Sequence, residues 1–304
     1  MPRTSPAMPL RSLIRDGAGA VAAGCFDAFS AFLADRAGFD MLHVTGFGVE
    51  VSMLAGPDMG LVTLTELSNL IDRIATVVDK PIICDVDSGF GEIENIRRTV
   101  RTMERAGAAA VHIEDVDRPK RNPFVDGRTL FSRAEAAGRV GSACDARTDP
   151  DFVIIARSDA DEVSIDELIA RCNLYLAAGA DMAMPILSKV NGRKIGNLSP
   201  EDQMAVHAKI VGAIEGPVFG VAVPPGCKAL DMIALGYSVI SLPMITFMPS
   251  ASAMIRSLND AMSSIKPHSP DLAASAKPLE SPFDLMKMLG IDEFLDRQAK
   301  FIRF

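Results

Sequence analysis

The sequence predicts an α/β protein folded as a closed (β/α)8 barrel, from two recurring patterns. Short apolar, β-branched runs recur along the 304 residues, and a longer stretch with helical spacing follows each of them. No Gly-x-Gly-x-x-Gly follows the first run, which disfavours an open, dinucleotide-binding sheet. The eight predicted strands lie near residues 19–25, 41–45, 81–85, 109–114, 152–157, 182–187, 217–223 and 238–244. Eight such units in one chain favour a closed barrel.

The segments between these strands carry helix signals. In residues 94–106, the apolar side chains of Ile96, Val100 and Met103 fall on one helical face. Three of the segments end in Ala-Gly pairs, as helices often do, at Ala37-Gly38, Ala106-Gly107 and Ala178-Gly179. These helices predict the outer ring of a TIM barrel.

Two segments lie outside the eight units. One is a helix predicted near Ser12, before the first strand. The other is a C-terminal helical arm, predicted over about 259–304, in which helical spacing returns between Pro282 and Phe304. Prolines interrupt the arm at Pro267, Pro270, Pro278 and Pro282. We therefore predict one domain over residues 1–304, with the arm as its extension.

Composition limits the partners that the chain is expected to bind. Lys and Arg total 31 against 39 Asp and Glu, a net charge of −8, and no basic block could follow a phosphate backbone. Trp is absent and Tyr occurs twice, so we expect no nucleic acid. The five cysteines lack Cys-x-x-Cys spacing, which predicts a reduced, cytoplasmic setting. No window approaches the ~20 continuous apolar residues of a membrane span, so we expect no membrane partner.

Charged residues follow three neighbouring strands where each strand ends. Asp85 and Asp87 end the third strand, and at positions i and i+2 their side chains are expected to point to the same side of an extended chain. Glu114 ends the fourth strand and Arg157 the fifth. Because the carboxyl ends of barrel strands open onto the mouth that binds ligands, these groups are expected to converge there. Three converging carboxylates repel one another unless a cation lies among them, and hard oxygen ligands favour Mg²⁺, with Mn²⁺ as an alternative. The competing interpretation, three unrelated surface carboxylates, does not explain their shared position.

The order and spacing of four motifs resemble the isocitrate lyase and phosphoenolpyruvate mutase superfamily. The motifs are Asp-Val-Asp-Ser-Gly-Phe-Gly at 85–91, Ala-Gly-Ala-Ala-Ala-Val-His-Ile-Glu-Asp at 106–115, Pro-Lys-Arg-Asn at 119–122 and the run at 148–157 that ends in Ala-Arg. The resemblance implies Mg²⁺ held by Asp85, Asp87 and Glu114, with Asp58 nearby. It also implies that backbone amides at Thr45, Gly46 and Phe47 bind the substrate carboxylate and that Arg157 balances charge on the departing group.

A loop over the barrel mouth distinguishes branches of this superfamily. Lyases that split isocitrate-like substrates carry Lys-Arg-Cys-Gly-His, whereas this chain has Lys-Arg-Asn-Pro-Phe at 120–124. Asn122 cannot deliver a proton as the cysteine does. With Lys120 and Asn122, the loop looks like that of phosphoenolpyruvate mutase and phosphonopyruvate hydrolase. It departs from the mutase branch at Val116 and Pro123, where Lys and Ser are expected.

Apolar residues occupy strand ends where relatives offer polar ones. The sixth strand ends in Met184-Pro185-Ile186 and the seventh in Val221-Ala222-Val223. This favours a small or hydrophobic substituent on the substrate over a second carboxylate. The four histidines, by contrast, are interpreted as structural, since none lies in a pattern that requires a general base.

The leading hypothesis is an enzyme that makes or breaks the bond to C3 of a small 2-oxo acid through a pyruvate-enolate-like intermediate, acting at a P–C bond. The second is a Cys-independent carbon–carbon lyase or oxaloacetate decarboxylase, and a third, of another class, is a non-catalytic barrel that binds a metabolite. The resemblance further implies a homotetramer, a dimer of dimers in which neighbours exchange their last barrel helix.

Overall fold

The computed structural model describes residues 8–266 and 279–301. Its helices are α1 (Met8–Asp16), α2 (Ala28–Arg36), α3 (Gly46–Leu54), α4 (Leu64–Ala75), α5 (Ile93–Ala106), α6 (Arg133–Ala146), α7 (Ile165–Ala177), α8 (Pro200–Ala213), α9 (Ala229–Ala234), α10 (Phe247–Ile265), α11 (Pro282–Met288) and α12 (Ile291–Phe301). Its strands are β1 (Ala20–Cys25), β2 (Met41–Val44), β3 (Ile82–Asp85), β4 (Ala110–Glu114), β5 (Val153–Ser158), β6 (Met182–Pro185), β7 (Lys189–Val190), β8 (Arg193–Lys194), β9 (Phe219–Val221) and β10 (Val239–Leu242).

Eight parallel strands form the barrel, in the order β6-β5-β4-β3-β2-β1-β10-β9. The barrel closes between β6 and β9 at a single bridge, Ala183 with Val218, whereas the other neighbouring strands share three to five register pairs. All eight predicted strands are present, and the (β/α)8 barrel is confirmed. The sequence did not predict the short β7-β8 hairpin after β6.

Apolar side chains form one layer inside the barrel and another between the strands and the helices. The inner layer includes Met41, Ile83, Val153 and Phe219, all fully or almost fully buried. Most strand residues are apolar on both faces of the barrel wall, as expected for parallel strands covered on both sides. This packing holds the strand ends, and the polar residues on them, in fixed positions.

Helix α1 covers the amino-terminal end of the barrel, opposite the mouth, and confirms the helix predicted near Ser12. Leu10 is fully buried and belongs to the inner apolar layer. Arg11 donates to the backbone oxygen of Phe152 at 2.9 Å and to the Asp181 carboxylate at 2.5 Å. Asp181 also accepts from Arg147 at 2.6 Å, so this carboxylate is shared by two guanidinium groups.

In its described residues, 259–266 and 279–301, the predicted C-terminal arm is largely helical, but its boundaries differ from the prediction. Asn259 lies inside α10, because no glycine or proline interrupts the chain between Ser250 and Lys266. The predicted helix after Pro282 is divided into α11 and α12 at Gly290, which has a left-handed φ of 80°. Pro267, Pro270 and Pro278 lie outside the described residues.

The last two helices pack near the barrel mouth. Leu285, Met286 and Ile291 are buried against side chains of α3 and of the mouth loop, among them Phe47 and Val125. The arm therefore contacts elements that carry candidate site residues. None of the helices in residues 8–266 and 279–301 is long and apolar enough to cross a membrane.

Candidate active site

The strand register brings the predicted charged residues to one edge of the barrel. Asp85 is the last residue of β3, and its register partner on β4 is His112. Glu114 is the last residue of β4 and is paired in register with Arg157 of β5. Parallel neighbours in register place these side chains at the same height, at the carboxyl ends of the strands.

Three carboxylates converge at this edge. Asp85, Asp87 and Glu114 each offer an oxygen within 4.8 Å of the others. We expected Asp85 and Asp87 to share one side of an extended chain, but Asp87 follows the strand in a left-handed turn, with φ at 47°. Its backbone N–H donates to Asp85 Oδ1 at 3.0 Å, and this hydrogen bond holds the turn that directs the second carboxylate toward the first.

The electrostatics of these acids fit a divalent cation. Burial raises the pKa of Glu114 well above its ordinary value, and burial with the neighbouring Asp85 and Asp58 carboxylates raises the pKa of Asp87. Among the described residues, Glu114 Oε2 is buried without an aligned hydrogen bond, although Arg157 Nη1 forms an ion pair with it at 2.9 Å. An all-oxygen set with an unsatisfied buried carboxylate suits Mg²⁺ or Mn²⁺.

Asp85 behaves differently from the other two acids. Burial alone would raise its pKa, but His112, Lys120 and Arg157 outweigh burial and hold that pKa well below the ordinary range. His112 itself has a pKa lowered to about 4, chiefly by burial, so it is neutral at pH 7. At neutral pH the cations that stabilise the Asp85 carboxylate are therefore Lys120 and Arg157.

Lys120 and Asn122 lie on the mouth loop, residues 116–130, whose ends are joined by a bridge between Val116 and Leu130. Lys120 Nζ donates to Asp58 Oδ1 at 2.7 Å and forms an ion pair with Asp87. Asn122 Nδ2 donates to the other oxygen of Asp58 at 2.5 Å. The loop is thus closed over the acids, with Asp58 as its anchor.

The predicted carboxylate-binding segment forms the amino terminus of α3. Thr45 caps this helix by accepting from the backbone N–H of Gly48 at 3.2 Å. The Gly46 N–H donates to Asp85 Oδ2 at 3.3 Å, and a Cβ at Gly46 would lie 2.7 Å from the same oxygen. The Phe47 ring packs against Phe247, so Phe47 can offer only its backbone to a ligand. A helix amino terminus favours an anionic group.

Arg157 is held by two carboxylates. Besides its ion pair with Glu114, it donates through Nε to Asp159 Oδ2 at 2.7 Å and through Nη2 to Asp159 Oδ1 at 3.0 Å. The sequence reasoning missed Asp159. An acid two residues after an arginine at a strand end was the signal that could have identified it.

A pair of histidines, predicted from the sequence to be structural, lies beneath the acids. His43 Nε2 lies 2.9 Å from His112 Nε2, and His43 Nδ1 lies 2.7 Å from Ser241 Oγ. His112 Nδ1 lies 3.6 Å from Asp85 Oδ1. Burial lowers the pKa of His43 to about 3, so both rings are neutral at pH 7 and act through hydrogen bonds rather than through charge.

Glu50 of α3 was also missed. Its carboxylate accepts from the backbone N–H groups of Met59, Gly60 and Leu61 at 2.8 to 3.0 Å. It thereby fixes the turn that follows Asp58. Burial and the Asp58 carboxylate raise the pKa of Glu50 to about 7.

The other side of the mouth is apolar, as the sequence indicated. Met184 and Ile186, at the end of β6, are buried in the inner apolar layer, and Val221 of β9 packs against that layer. A cavity of about 760 Å³ opens beside Asp87, away from the apolar side, and is lined partly by Asp87, Lys120 and residues 59–65. It offers space for a small molecule next to the Asp87–Lys120 pair.

Known proteins resemble the chain over most of its length. Residues 10–264 match the family model described as phosphoenolpyruvate phosphomutase. The 2,3-dimethylmalate lyase of Eubacterium barkeri is 34% identical over 250 residues, which cover 82% of this chain and 83% of that protein. The 2-methylisocitrate lyase of Aeropyrum pernix is 35% identical over 262 residues, 86% of this chain and 81% of that protein.

Solved structures extend the likeness to nearly the whole chain. A phosphonopyruvate hydrolase solved with oxalate and Mg²⁺ superposes with a TM-score of 0.73 at 25% identity, over 99% of this chain and 100% of that one. The converging acids, the helix amino terminus and the loop lysine therefore lie in a fold shared with mutases, hydrolases and lyases. The chain belongs to the phosphoenolpyruvate phosphomutase family, within the isocitrate lyase and phosphoenolpyruvate mutase superfamily, and is an enzyme of that superfamily.

Proposed function

We propose that this chain is a Mg²⁺-dependent carbon–carbon lyase that breaks the bond to C3 of a small 2-oxo acid, or of the corresponding 2-hydroxy acid, through an enolate-like intermediate. The observation that carries the proposal is the convergence of Asp85, Asp87 and Glu114 beside Lys120 and Arg157. Fixed positive charge beside a developing oxyanion lowers the barrier to forming an enolate.

Each described group has a physical task in this proposal. Asp85, Asp87 and Glu114 would hold Mg²⁺, which when bound supplies Lewis-acid stabilisation of negative charge. The amino terminus of α3 would bind the substrate carboxylate through backbone N–H groups. Lys120, brought in by the closed mouth loop, excludes water and adds a second positive charge.

The apolar ends of β6 and β9 favour carbon–carbon over P–C cleavage, because they suit an alkyl substituent rather than the charged oxygens of a phosphonate.

The names of the relatives also favour carbon–carbon cleavage over P–C cleavage. The sequence ranked P–C chemistry first because of Lys120 and Asn122, but the two relatives above are named as lyases of 2,3-dimethylmalate and 2-methylisocitrate. P–C cleavage stays the second candidate, favoured by that loop and by the likeness to phosphonopyruvate hydrolase. Asn122 stands where the isocitrate-type lyases have cysteine, so the proton for the enolate comes from a group other than a loop thiol.

A substrate panel with Mg²⁺ separates the candidates. Pyruvate formed from oxaloacetate or from an alkyl-substituted 2-hydroxy diacid supports the lyase. Phosphate or phosphoenolpyruvate formed from phosphonopyruvate supports P–C chemistry instead. If none of these is turned over, calorimetry with Mg²⁺ and oxalate tests the non-catalytic barrel, which would bind both without reaction.

The metal role of the acids is tested by Asp87→Ala. We expect the variant to fold but to lose metal-supported turnover and most of its Mg²⁺ affinity, because one of three converging ligands is missing. Asp145→Ala is the matched control, since Asp145 is exposed and pairs with Arg97 far from the mouth. Full activity in Asp87→Ala removes Asp87 from the site.

We also infer a homotetramer, a dimer of dimers. Helix α10 exposes Met254, Leu258 and Ile265, each by more than half of its surface. Clustered exposed apolar side chains on one helix mark a surface that another chain covers. Size-exclusion chromatography with light scattering tests the inference, and a mass of one or two chains contradicts it.

A further inference from the structure

A chain of alternating charges leads from the metal-site acids to the far end of the mouth loop. It runs from Glu114 through Arg157 and Asp159 to Arg128 and ends at Asp161. The side chains of Arg128, Asp159 and Asp161 are fully buried. Since buried charges are costly unless each is paired, the members of this chain depend on one another.

Asp159 is the shared member. Its Oδ1 accepts from Arg157 Nη2 at 3.0 Å and from Arg128 Nη1 at 2.7 Å, while Oδ2 accepts from Arg157 Nε at 2.7 Å. Its backbone N–H is fixed by Asp115 Oδ1 at 2.9 Å. Burial alone would raise the pKa of Asp159, but Arg157 and Arg128 together hold it below the ordinary value.

Arg128 is itself held firmly. Its Nη2 donates to Ser188 Oγ at 2.8 Å and to Glu162 at 3.2 Å, and it lies 3.1 Å from Asp161 Oδ1. These partners belong to the segment after β5 and to the residues before the β7-β8 hairpin. Arg128 therefore joins the carboxyl end of the mouth loop to a rigid part of the barrel.

We propose that Arg128 is a positioning residue for Arg157, acting through Asp159. With Arg128 in place, both oxygens of Asp159 lie where Nε and Nη2 of the Arg157 guanidinium group can donate to them. This pairing keeps the remaining nitrogen, Nη1, directed at Glu114. Without Arg128, Asp159 loses one of the two guanidinium groups that hold it. Arg157 is then paired with a carboxylate that is no longer fixed in position. This inference rests on the proposed function, in which Arg157 stabilises charge on the reacting atoms.

The test compares Arg128→Gln with Arg147→Gln on the substrate that the wild-type enzyme turns over. Arg147 also shares a carboxylate with a second arginine, Arg11, but at the closed end of the barrel. Arg128→Gln is expected to lower kcat about 10- to 100-fold, the usual cost of removing a group that orients a site residue, with KM changed less than threefold. Arg147→Gln is expected to lower Tm but not kcat.

A double-mutant cycle separates positioning from loss of the loop anchor. If Arg128 acts through Asp159, Arg128→Gln lowers kcat little further in an Asp159→Asn background. Additive losses in kcat overturn the proposal, as does an unchanged kcat in Arg128→Gln. If Arg128→Gln does not fold, Arg128→Lys takes its place: it keeps the charge but not the fork, and a wild-type kcat in that variant overturns the proposal. Failure of the proposed function appears separately, as absence of turnover in the wild-type enzyme.

Discussion

The Asp58 carboxylate anchors the part of the closed mouth loop that carries Lys120 and Asn122, and its removal has a measurable effect. In Asp58→Ala, Lys120 and Asn122 both lose their acceptor. A hydrogen bond to a charged group contributes roughly 1.5–3 kcal/mol to stability, so losing both bonds would weaken loop closure by about 3–6 kcal/mol at most. Lys120 keeps its ion pair with Asp87, which reduces the loss. We expect closure to weaken by about 2 kcal/mol, or roughly 30-fold in the population of the open loop.

Tryptic cleavage after Lys120 or Arg121 reports this population. A protease cuts the open loop, and when closing is fast the cleavage rate follows the open fraction. The measurement is made in EDTA, so that loss of metal binding does not contribute. Asp126→Ala is the control, because Asp126 lies on the same loop but is mostly exposed and pairs only with Lys189 among the ion pairs described. A cleavage rate in Asp58→Ala within threefold of wild type refutes Asp58 as the anchor of the closed loop.

Two further predictions concern the metal site and pH. Gly46→Ala places a Cβ 2.7 Å from Asp85 Oδ2, so we expect Mg²⁺ affinity to fall about 10- to 100-fold by calorimetry, while Gly196→Ala, where nothing lies within 4 Å, leaves it unchanged. Burial lowers the pKa of His207 to about 4, so the unfolded chain takes up the extra proton between pH 6.5 and 4, and the stability present above pH 6.5 is lost as pH falls. Urea unfolding measures the free energy of unfolding at pH 7.5 and at pH 5. Between these two pH values it should fall by about 2 kcal/mol less in His207→Gln than in wild type, and equal falls would contradict the lowered pKa of His207.

The barrel and the three acids could be predicted because they depend on local pattern. Each strand is a short apolar run, and the strand ends mark the mouth, so Asp85, Glu114 and Arg157 were identified from position alone. Asp87 was identified for the wrong reason, since a turn rather than an extended strand directs it. Residue identity and order were therefore sufficient to assign Asp87 to the site, although the backbone conformation expected for it was wrong.

Asp159 left a signal in the sequence, but Glu50 and Arg128 could not be predicted, because their roles depend on contacts with segments that no local pattern pairs with them. Glu50 binds backbone groups nine to eleven residues away, and Arg128 meets Asp159 thirty-one residues along the chain. A single sequence contains no signal for such pairings. His112 was interpreted as structural, and only the register of β3 with β4 places it beside Asp85.

The single bridge between β6 and β9 has a consequence for how this enzyme could diversify. Asp85 and Glu114 end β3 and β4, whose neighbours are joined by continuous ladders, whereas the apolar residues proposed to face a substrate substituent lie on the two strands that meet at Ala183 and Val218. Fewer interstrand hydrogen bonds resist spreading at that junction. New side chains there can enlarge or reshape the space for a substituent without moving the carboxylates, so substrate range can change while the chemistry is retained.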